Sequence, residues 1–301
     1  MFKGTGTAII TPFKDDLSID YEKLTGLIEY QINNGIDAII VLGTTGEAPV
    51  INDEERTELI SFFVEKVNKR VKIIVGTGTN DPAHCVKHNE NAEKLGADGL
   101  LIVNPYYNKG TQRSIVEHFK YLDSKTNLPI ILYNVPSRTG MNMLPETIIK
   151  IYEECKNVVG VKEASGDISQ IAKLLAIKPE EFSVLSGNDD QTLPIMSMGG
   201  DGVISVFSNS FPKEMTQMVN AALKDNYKLA RELHNTYLKM MHLIFIEASP
   251  MPIKYVMQKL DLCKNVLRLP LLPVTEESET ILDKELQHYF DSNIFVSERA
   301  G

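Results

Sequence analysis

The sequence predicts a (β/α)8 barrel, the TIM-barrel class, with extra C-terminal helices, and three observations carry that prediction. Eight short aliphatic runs recur about every 28 residues, the length of one strand plus its crossover helix. The runs are almost continuously apolar, as expected for parallel strands covered by helices. The first run leads into Thr11-Pro12-Phe13-Lys14, without the glycine-rich fingerprint that an open dinucleotide-binding sheet needs at that point.

The barrel elements follow from local signals in chain order. Asp20 is a predicted N-cap because an apolar helical stripe follows it, Asn52 and Glu55 have the spacing of a capping box, and Asp81-Pro82 is typical of a helix start. The predicted strands lie at 7–10, 38–42, 72–75, 100–103, 130–133, 158–161, 182–185 and 203–206.

After residue 224 the strand-like runs stop and only helical patterns remain. We predict helices at 227–245, 252–262 and 276–289, packed on the barrel or on a partner. The chain is therefore divided into a barrel, residues 1–224, and a C-terminal helical extension, residues 225–301. A barrel of 200–250 residues commonly forms one domain.

Composition excludes several classes of function. Forty acidic against 31 basic residues give a net charge of −9, which argues against nucleic acid as a partner. The three cysteines are too far apart in sequence for a disulfide framework or a metal pair, which suggests a reducing compartment. No apolar run approaches a membrane span or a signal peptide, so we expect a cytoplasmic protein. His84 and His88 lie one turn apart without a third ligand, so no metal is expected.

Lys162 is the sharpest candidate for chemistry, because reactive residues of such barrels lie at the carboxyl ends of strands. Strand alternation places Val158, Gly160 and Lys162 on the inner face and Val159 and Val161 on the outer face. A desolvated, neutral lysine amine attacks carbonyl groups and forms a Schiff base. The same position also suits a lysine that extends to water.

Other strand ends carry groups that suit this chemistry. Tyr133 is predicted to face inward, and its hydroxyl with those of Thr44 and Tyr107 could form a proton relay. The turn Gly43–Gly46 could bring backbone N–H groups to a small anion, and Arg138 could clamp a carboxylate. Taken singly, each of these residues also fits a packed or surface side chain.

Together these segments resemble the dihydrodipicolinate synthase family of pyruvate-dependent lyases, over nearly the whole chain from Gly4 to about Leu272. Several motifs in register are far more specific than any one of them, and they favour the Schiff-base interpretation of Lys162. The matching motifs are Gly43-Thr44-Thr45-Gly46-Glu47, Pro105-Tyr106-Tyr107-Asn108, Tyr133-Asn134-Val135-Pro136-Ser137-Arg138-Thr139-Gly140, Val161-Lys162-Glu163-Ala164, Gly202-Val203-Ile204-Ser205-Val206 and Leu267-Arg268-Leu269-Pro270.

The resemblance implies a reaction that needs no cofactor beyond the lysine itself. Pyruvate condenses with Lys162, and the enamine attacks the aldehyde of L-aspartate 4-semialdehyde. Cyclisation then releases 4-hydroxytetrahydrodipicolinate, the entry to diaminopimelate and lysine biosynthesis. Tyr133 would shuttle protons through Thr44 to Tyr107, which in the family reaches across a dimer interface. The implied assembly is a homotetramer, a dimer of dimers.

The resemblance also assigns substrate-binding residues. Thr45 would hold the pyruvate carboxylate and Arg138 the semialdehyde carboxylate, while Gly187 and Ile204 would line the pocket. Serine at position 249 departs from the family, in which asparagine is more usual before the proline, and the sequence offers no account of it.

A further departure concerns regulation. Lysine-inhibited members often carry histidines and a glutamate at the dimer cleft, where this chain has Asp53, Arg56 and His84, while Asn80 and Tyr106 are retained. The ammonium group of lysine needs a carboxylate partner, which His84 cannot supply. We therefore predict weak or absent inhibition by lysine.

Two other functions fit parts of the pattern. A sister pyruvate-dependent aldolase, like N-acetylneuraminate lyase or a sugar-acid aldolase, shares the pyruvate half of the mechanism. An enzyme for a polyhydroxy substrate, however, should replace Arg138. A catalytically silent barrel that senses an amino acid or sugar acid needs no Schiff-base lysine, and Lys162 disfavours it.

Overall fold

Eight parallel strands close into a barrel in the computed structural model, which describes residues 3–292. Each strand pairs with its neighbours in sequence, and the eighth pairs with the first. The predicted barrel is confirmed. The strands are β1 Gly4–Ala8, β2 Ala38–Val41, β3 Lys72–Gly76, β4 Gly99–Val103, β5 Ile130–Asn134, β6 Val158–Glu163, β7 Ser183–Ser186 and β8 Gly202–Ser205.

Helices surround the barrel and continue past it. Short 3₁₀ turns occur at Ala48–Val50, Asp189–Gln191 and Phe207–Asn209. The α-helices are α1 Tyr21–Asn33, α2 Asp53–Val67, α3 Pro82–Leu95, α4 Gln112–Asp123, α5 Pro136–Thr139, α6 Pro145–Glu154, α7 Ile168–Ile177, α8 Thr192–Ser197, α9 Pro212–Leu223, α10 Tyr227–Leu243, α11 Met251–Lys259 and α12 Glu276–Asp291.

The predicted helix starts are confirmed. The Asp20 side chain accepts from the Lys23 N–H at 3.0 Å, and Asn52 forms both halves of a capping box with Glu55. Asp81 accepts from the N–H of Ala83 at the start of α3. These caps satisfy backbone donors that the first helical turn leaves free, and they fix where each crossover begins.

The first strand begins earlier than the predicted 7–10. β1 spans Gly4–Ala8 because the barrel closes there, with Gly4 opposite Gly202. A Cβ on Gly202 would lie 1.9 Å from the Gly4 carbonyl oxygen, so only glycine allows this approach. A search for apolar runs misses a strand made of glycine and threonine.

The predicted inner face of β6 was wrong at Val158. Ile130 pairs with Val158 but Ile131 pairs with Gly160, so one extra residue enters the strand. This bulge turns Val158 outward, into the same hydrophobic cluster as Val161. Glycine at position 160 allows β6 to approach β7 closely, because a Cβ there would lie 2.6 Å from the Ser183 carbonyl oxygen.

The core has two layers. An outer layer joins the barrel to its helices and includes residues of the extension such as Tyr237, Ile253 and Tyr289. Side chains inside the barrel form the inner layer, which consists of Ala8, Ala38, Ile40, Ile74, Leu101, Ile131, Tyr133, Val135, Ala164, Leu185 and Ile204. The inner layer closes the barrel below its carboxyl-terminal mouth.

The extension packs directly on the barrel. The Phe207 ring lies 5.6 Å from the ring of Tyr237 in α10, and the Phe211 ring lies 6.2 Å from that of Tyr289 in α12, centroid to centroid. The three predicted helices are present, while residues 293–301 of the predicted extension lie outside the described residues. The boundary at residue 224 stays a prediction. None of the helices described here combines the length and apolarity needed to cross a membrane.

Candidate active site

Lys162 and Tyr133 lie side by side at the mouth of the barrel. They are opposite each other in the register of β6 and β5, and the Lys162 Nζ lies 4.5 Å from the centroid of the Tyr133 ring. Both are buried, with 5% and 8% of their surface exposed. The lysine therefore does not extend into water, and its amine faces an aromatic ring inside the barrel.

A cavity of about 220 Å³ opens at this end of the barrel. Its walls come from the ends of β2 to β5 and include Thr44, Tyr106, Tyr133 and Arg138. The walls are mostly apolar, with a few hydroxyl and charged groups, as is typical of sites that orient a small polar substrate.

Gly187 lies beside Lys162, and Ile204 lies in the inner layer of the barrel. A Cβ on Gly187 would lie 3.1 Å from the Lys162 Cε and 2.7 Å from the Ala164 Cβ, so the glycine leaves room for the lysine chain. The Gly187 N–H donates to the Glu163 carbonyl oxygen at 2.7 Å. Ile204 is fully buried in the inner layer.

The turn after β2 places two threonines near the cavity. The Gly46 N–H donates to the Gly43 carbonyl oxygen and the Glu47 N–H to that of Thr44, both at 3.1 Å. Thr44 lines the cavity and Thr45 is buried. The N–H groups of Gly46 and Glu47 are thus used within the turn, and the threonine side chains are its remaining polar groups.

Tyr107 lies apart from this group. It is 90% exposed, has a left-handed backbone with φ of 70°, and does not line the cavity, whereas Tyr106 does. Within one chain the structure brings Thr44 and Tyr133 to the cavity but leaves Tyr107 outside.

Arg138 reaches the extension as well as the cavity. Its Nη2 donates to the Ser249 carbonyl oxygen at 3.2 Å. Ser249 is buried, and its own hydroxyl has no hydrogen-bond partner. The segment after α10 thus helps to aim the guanidinium at the site entrance.

The predicted regulatory residues lie around the starts of α2 and α3. The Arg56 guanidinium is buried and donates to the Gly76 carbonyl oxygen at 3.0 Å; burial lowers its pKa. Asp53 pairs with His88 at 3.3 Å, and the ring of His84, an exposed residue, stacks on His88.

Asn80 and Tyr106 also lie near this region. The Asn80 carbonyl oxygen accepts from Asn108, and Tyr106 lines the cavity. Within residues 3–292, no group of three or more histidine, cysteine or acidic side chains is placed to hold a metal ion.

Sequence reasoning gave no role to Asn134 and Glu163, which follow Tyr133 and Lys162 on the same strands. The Asn134 Nδ2 donates to both Glu163 carboxylate oxygens at 3.2 and 3.1 Å, and the Ser165 N–H donates to Oε1 at 2.7 Å. Burial raises the pKa of Glu163. This pair holds β5 and β6 in the register that sets Tyr133 against Lys162.

Asp189 lies four residues after the predicted strand 182–185, and sequence reasoning gave it no role. Its carboxylate is buried and accepts from the Ser205 hydroxyl at 2.5 Å and from the N–H groups of Val206 and Phe207 at 3.1 Å. Burial raises its pKa to about 6, opposed by these hydrogen bonds and by the charge of Lys162. No sequence signal separates Asp189 from the neighbouring Asp190, which is only partly buried.

Comparison with known proteins shows close relatives over almost the whole chain. The model of the dihydrodipicolinate synthetase family matches residues 1–289. A 4-hydroxy-tetrahydrodipicolinate synthase from Thermotoga neapolitana is 47% identical over 285 residues, covering 94% of this chain and 97% of its own. One from Clostridium tetani is 46% identical over 289 residues, covering 96% and 98%.

Solved structures of this family are similar to this chain over almost its whole length. The dihydrodipicolinate synthase of Thermotoga maritima superposes with a TM-score of 0.94 at 45% identity, covering 96% of this chain and 98% of that one. The enzyme from Aquifex aeolicus gives a TM-score of 0.93 at 42% identity, with coverage of 96% and 98%.

Proposed function

The chain belongs to the dihydrodipicolinate synthetase family, and from that premise we propose that it is a 4-hydroxy-tetrahydrodipicolinate synthase, a lyase that joins pyruvate to L-aspartate 4-semialdehyde. The observation that carries the proposal is the buried Lys162 amine, 4.5 Å from the Tyr133 ring at the mouth of the barrel. A nucleophilic amine shielded from water, beside a phenol that can move protons, is what Schiff-base chemistry requires.

The reaction begins at the Lys162 nitrogen. The neutral amine attacks the keto carbon of pyruvate, and loss of one water gives an imine. Removal of a methyl proton converts the imine to an enamine, whose carbon attacks the aldehyde of the semialdehyde and forms the new C–C bond. The amino group of the second substrate then attacks the imine carbon, closes the ring and frees Lys162, so one water is released in all.

Tyr133 supplies and removes the protons of these steps. Tyr133 and Lys162 are paired on neighbouring strands, and the tyrosine ring lies against the lysine amine. Thr44, on the cavity wall, continues the relay toward Tyr107. Because Tyr107 is 90% exposed and outside the cavity, we assign it to the site of a second copy. The proposed assembly is a dimer of dimers.

Four other residues bind substrate. Thr45, next to Thr44 of the cavity wall, receives the pyruvate carboxylate, and Arg138, itself on that wall, receives the carboxylate of the semialdehyde. Gly187 beside Lys162 and Ile204 of the inner layer shape the pocket. The reaction uses no metal or external cofactor, because the Lys162 amine itself activates pyruvate. The proposed location is the cytoplasm, consistent with three free, buried cysteines.

The testing experiment is turnover of pyruvate with L-aspartate 4-semialdehyde, with Lys162→Ala as control. We expect turnover in the native protein and its loss in the variant. Borohydride reduction in the presence of pyruvate should add a stable adduct to the Lys162 peptide. Absence of that adduct would contradict the Schiff-base mechanism; an adduct without turnover would contradict the semialdehyde as substrate and point to a sister aldolase.

A further inference from the structure

We propose that Glu47 is a positioning residue for pyruvate: held by Lys254 of the C-terminal extension, it fixes the Thr44–Thr45 turn that receives the pyruvate carboxylate. This inference rests on the proposed function. It assigns the extension a part in substrate binding, through a buried ion pair below the turn.

Glu47 and Lys254 form an ion pair that is completely shielded from water. The Lys254 Nζ lies 2.5 Å from the Glu47 Oε1, and both side chains are 0% exposed. The ammonium group also donates to the Val266 carbonyl oxygen at 2.9 Å and lies 4.3 Å from the centroid of the Phe13 ring. A buried charge needs its partner in place, so each member of this pair strongly restricts the position of the other.

The second carboxylate oxygen of Glu47 is held by the segment after α11. The Arg268 N–H donates to Oε2 at 3.0 Å, and the Arg268 guanidinium forms a bidentate pair with Glu55 at 2.7 and 2.5 Å. It donates as well to the Val50 carbonyl oxygen at 2.8 Å. The extension therefore forms hydrogen bonds or ion pairs with the chain on both sides of the 3₁₀ turn that follows Glu47.

The backbone conformation of Glu47 links these contacts to the two threonines. Glu47 has φ of 56° and ψ of 34°, a left-handed conformation that is costly for a residue with a Cβ. Its N–H donates to the Thr44 carbonyl oxygen, and the Thr11 hydroxyl donates to that of Gly46 at 2.7 Å. The side-chain contacts of Glu47 hold this conformation, and the Thr44–Thr45 turn precedes it directly.

The test compares Glu47→Gln, Lys254→Met and the double variant with native protein. Lys259→Met is the matched control, because Lys259 is on the same helix and pairs at 2.9 Å with Asp283, but both side chains are exposed. We would measure thermal unfolding, the pyruvate concentration for half-maximal borohydride trapping at Lys162, and KM for each substrate. Glu47→Asp, which keeps the charge, is the conservative variant.

We expect the pyruvate KM and the half-maximal trapping concentration to rise about tenfold or more in Glu47→Gln, with the semialdehyde KM changed less than about threefold; kcat should fall as well, because Thr44 of the relay belongs to the same turn. The double variant, which leaves no lone buried charge, should unfold near the native temperature yet keep the raised KM. The pyruvate KM of Glu47→Asp should lie between those of the native protein and Glu47→Gln. Lys259→Met should match the native protein in every measurement.

Recovery of the native pyruvate KM in the double variant, together with its stability, would overturn the proposal, because the pair would then serve folding alone. So would a native KM in a folded Glu47→Gln. If the single and double variants do not fold, a native KM in Glu47→Asp overturns the proposal and a raised one supports it. Failure of the native protein to trap pyruvate would instead reject the proposed function.

Discussion

Tyr133 and Lys162 face each other across two neighbouring strands, with the lysine Nζ 4.5 Å from the centroid of the tyrosine ring. Their spacing is set by the register of β5 and β6, which pair without interruption from Ile131 and Gly160 to Asn134 and Glu163. The next residues on the same strands, Asn134 and Glu163, form a buried hydrogen-bonded pair. The geometry of the proposed nucleophile and its proton carrier is therefore built into the barrel wall and does not depend on a loop.

Removing only the hydroxyl of Tyr133 tests its role as the proton carrier. Tyr133→Phe keeps the ring against Lys162, so we expect native stability and a pyruvate KM within about threefold of native. The value of kcat should fall about 10²- to 10³-fold, the usual contribution of general acid–base catalysis. Steady-state kinetics and thermal unfolding measure both, and a native kcat would assign proton transfer to another group.

The space beside Lys162 depends on Gly187. In Gly187→Ala the new Cβ would lie 3.1 Å from the Lys162 Cε and 2.7 Å from the Ala164 Cβ. Overpacking of this kind costs about 1–3 kcal/mol and displaces the lysine chain. We expect borohydride trapping of pyruvate to slow about tenfold or more.

The control for Gly187→Ala is Gly26→Ala, an exposed helical site where a Cβ meets nothing within 4 Å. It should raise the free energy of unfolding by about 0.5–1 kcal/mol and leave trapping unchanged. Equal trapping rates in the two variants would show that Lys162 tolerates the added methyl group.

The buried carboxyl of Asp189 gives a pH-dependent stability of definite sign. Its pKa is raised to about 6 in the folded protein, so the folded state binds this proton more tightly than the unfolded state. Stability linked to Asp189 is present in full below about pH 4 and is lost as pH rises through about 6. From a shift of about two units the loss is about 2–3 kcal/mol.

Asp189→Asn removes the titration and keeps the shape. An amide can still accept from Val206 and Phe207 and donate to the Ser205 hydroxyl. The native protein should lose about 2–3 kcal/mol of unfolding free energy through this group between pH 4 and pH 7, and the variant should not. The difference between variant and native protein should therefore shift by that amount in favour of the variant. Denaturant titrations at several pH values measure this, with Asp225→Asn, an exposed carboxyl, as control. A constant difference across the range would contradict the assignment.

Inhibition by lysine should be weak. The Arg56 guanidinium is committed to backbone carbonyl oxygens, and His84 offers no carboxylate for the ammonium group of lysine. We expect half-inhibition only above about 1 mM lysine, and a lower constant in His84→Glu, which supplies that carboxylate. Initial rates at increasing lysine test this, and sub-millimolar inhibition of the native protein would refute it.

Features that local rules determine could be predicted from the sequence. Features that depend on long-range packing could not. The helix caps at Asp20 and Asn52 each involve residues at most three positions apart, so the local sequence predicts them. Strand periodicity placed Lys162 correctly but failed at Val158, because a bulge is set by the pairing of two strands. The Glu47–Lys254 pair joins residues 207 positions apart, which no local pattern reveals.

Tyr107 provides the sharpest test of a shared site. Tyr107 is 90% exposed and does not line the cavity of its own chain, and the proposed relay takes it from a second copy. Tyr107→Phe and Lys162→Ala should each be nearly inactive alone. In a mixed dimer, the intact Lys162 of the Tyr107→Phe chain meets the intact Tyr107 of the other chain, so one complete site forms.

Unfolding and refolding an equal mixture of the two variants should therefore restore activity. Random pairing makes half of the dimers mixed, each with one working site of two, so about a quarter of the native activity is expected. Each variant refolded alone is the control, and its activity should stay at the starting level. Activity of the mixture no higher than the mean of the two controls would contradict a Tyr107 that acts across the interface, because only a tyrosine exchanged between chains completes a site in the mixed dimer.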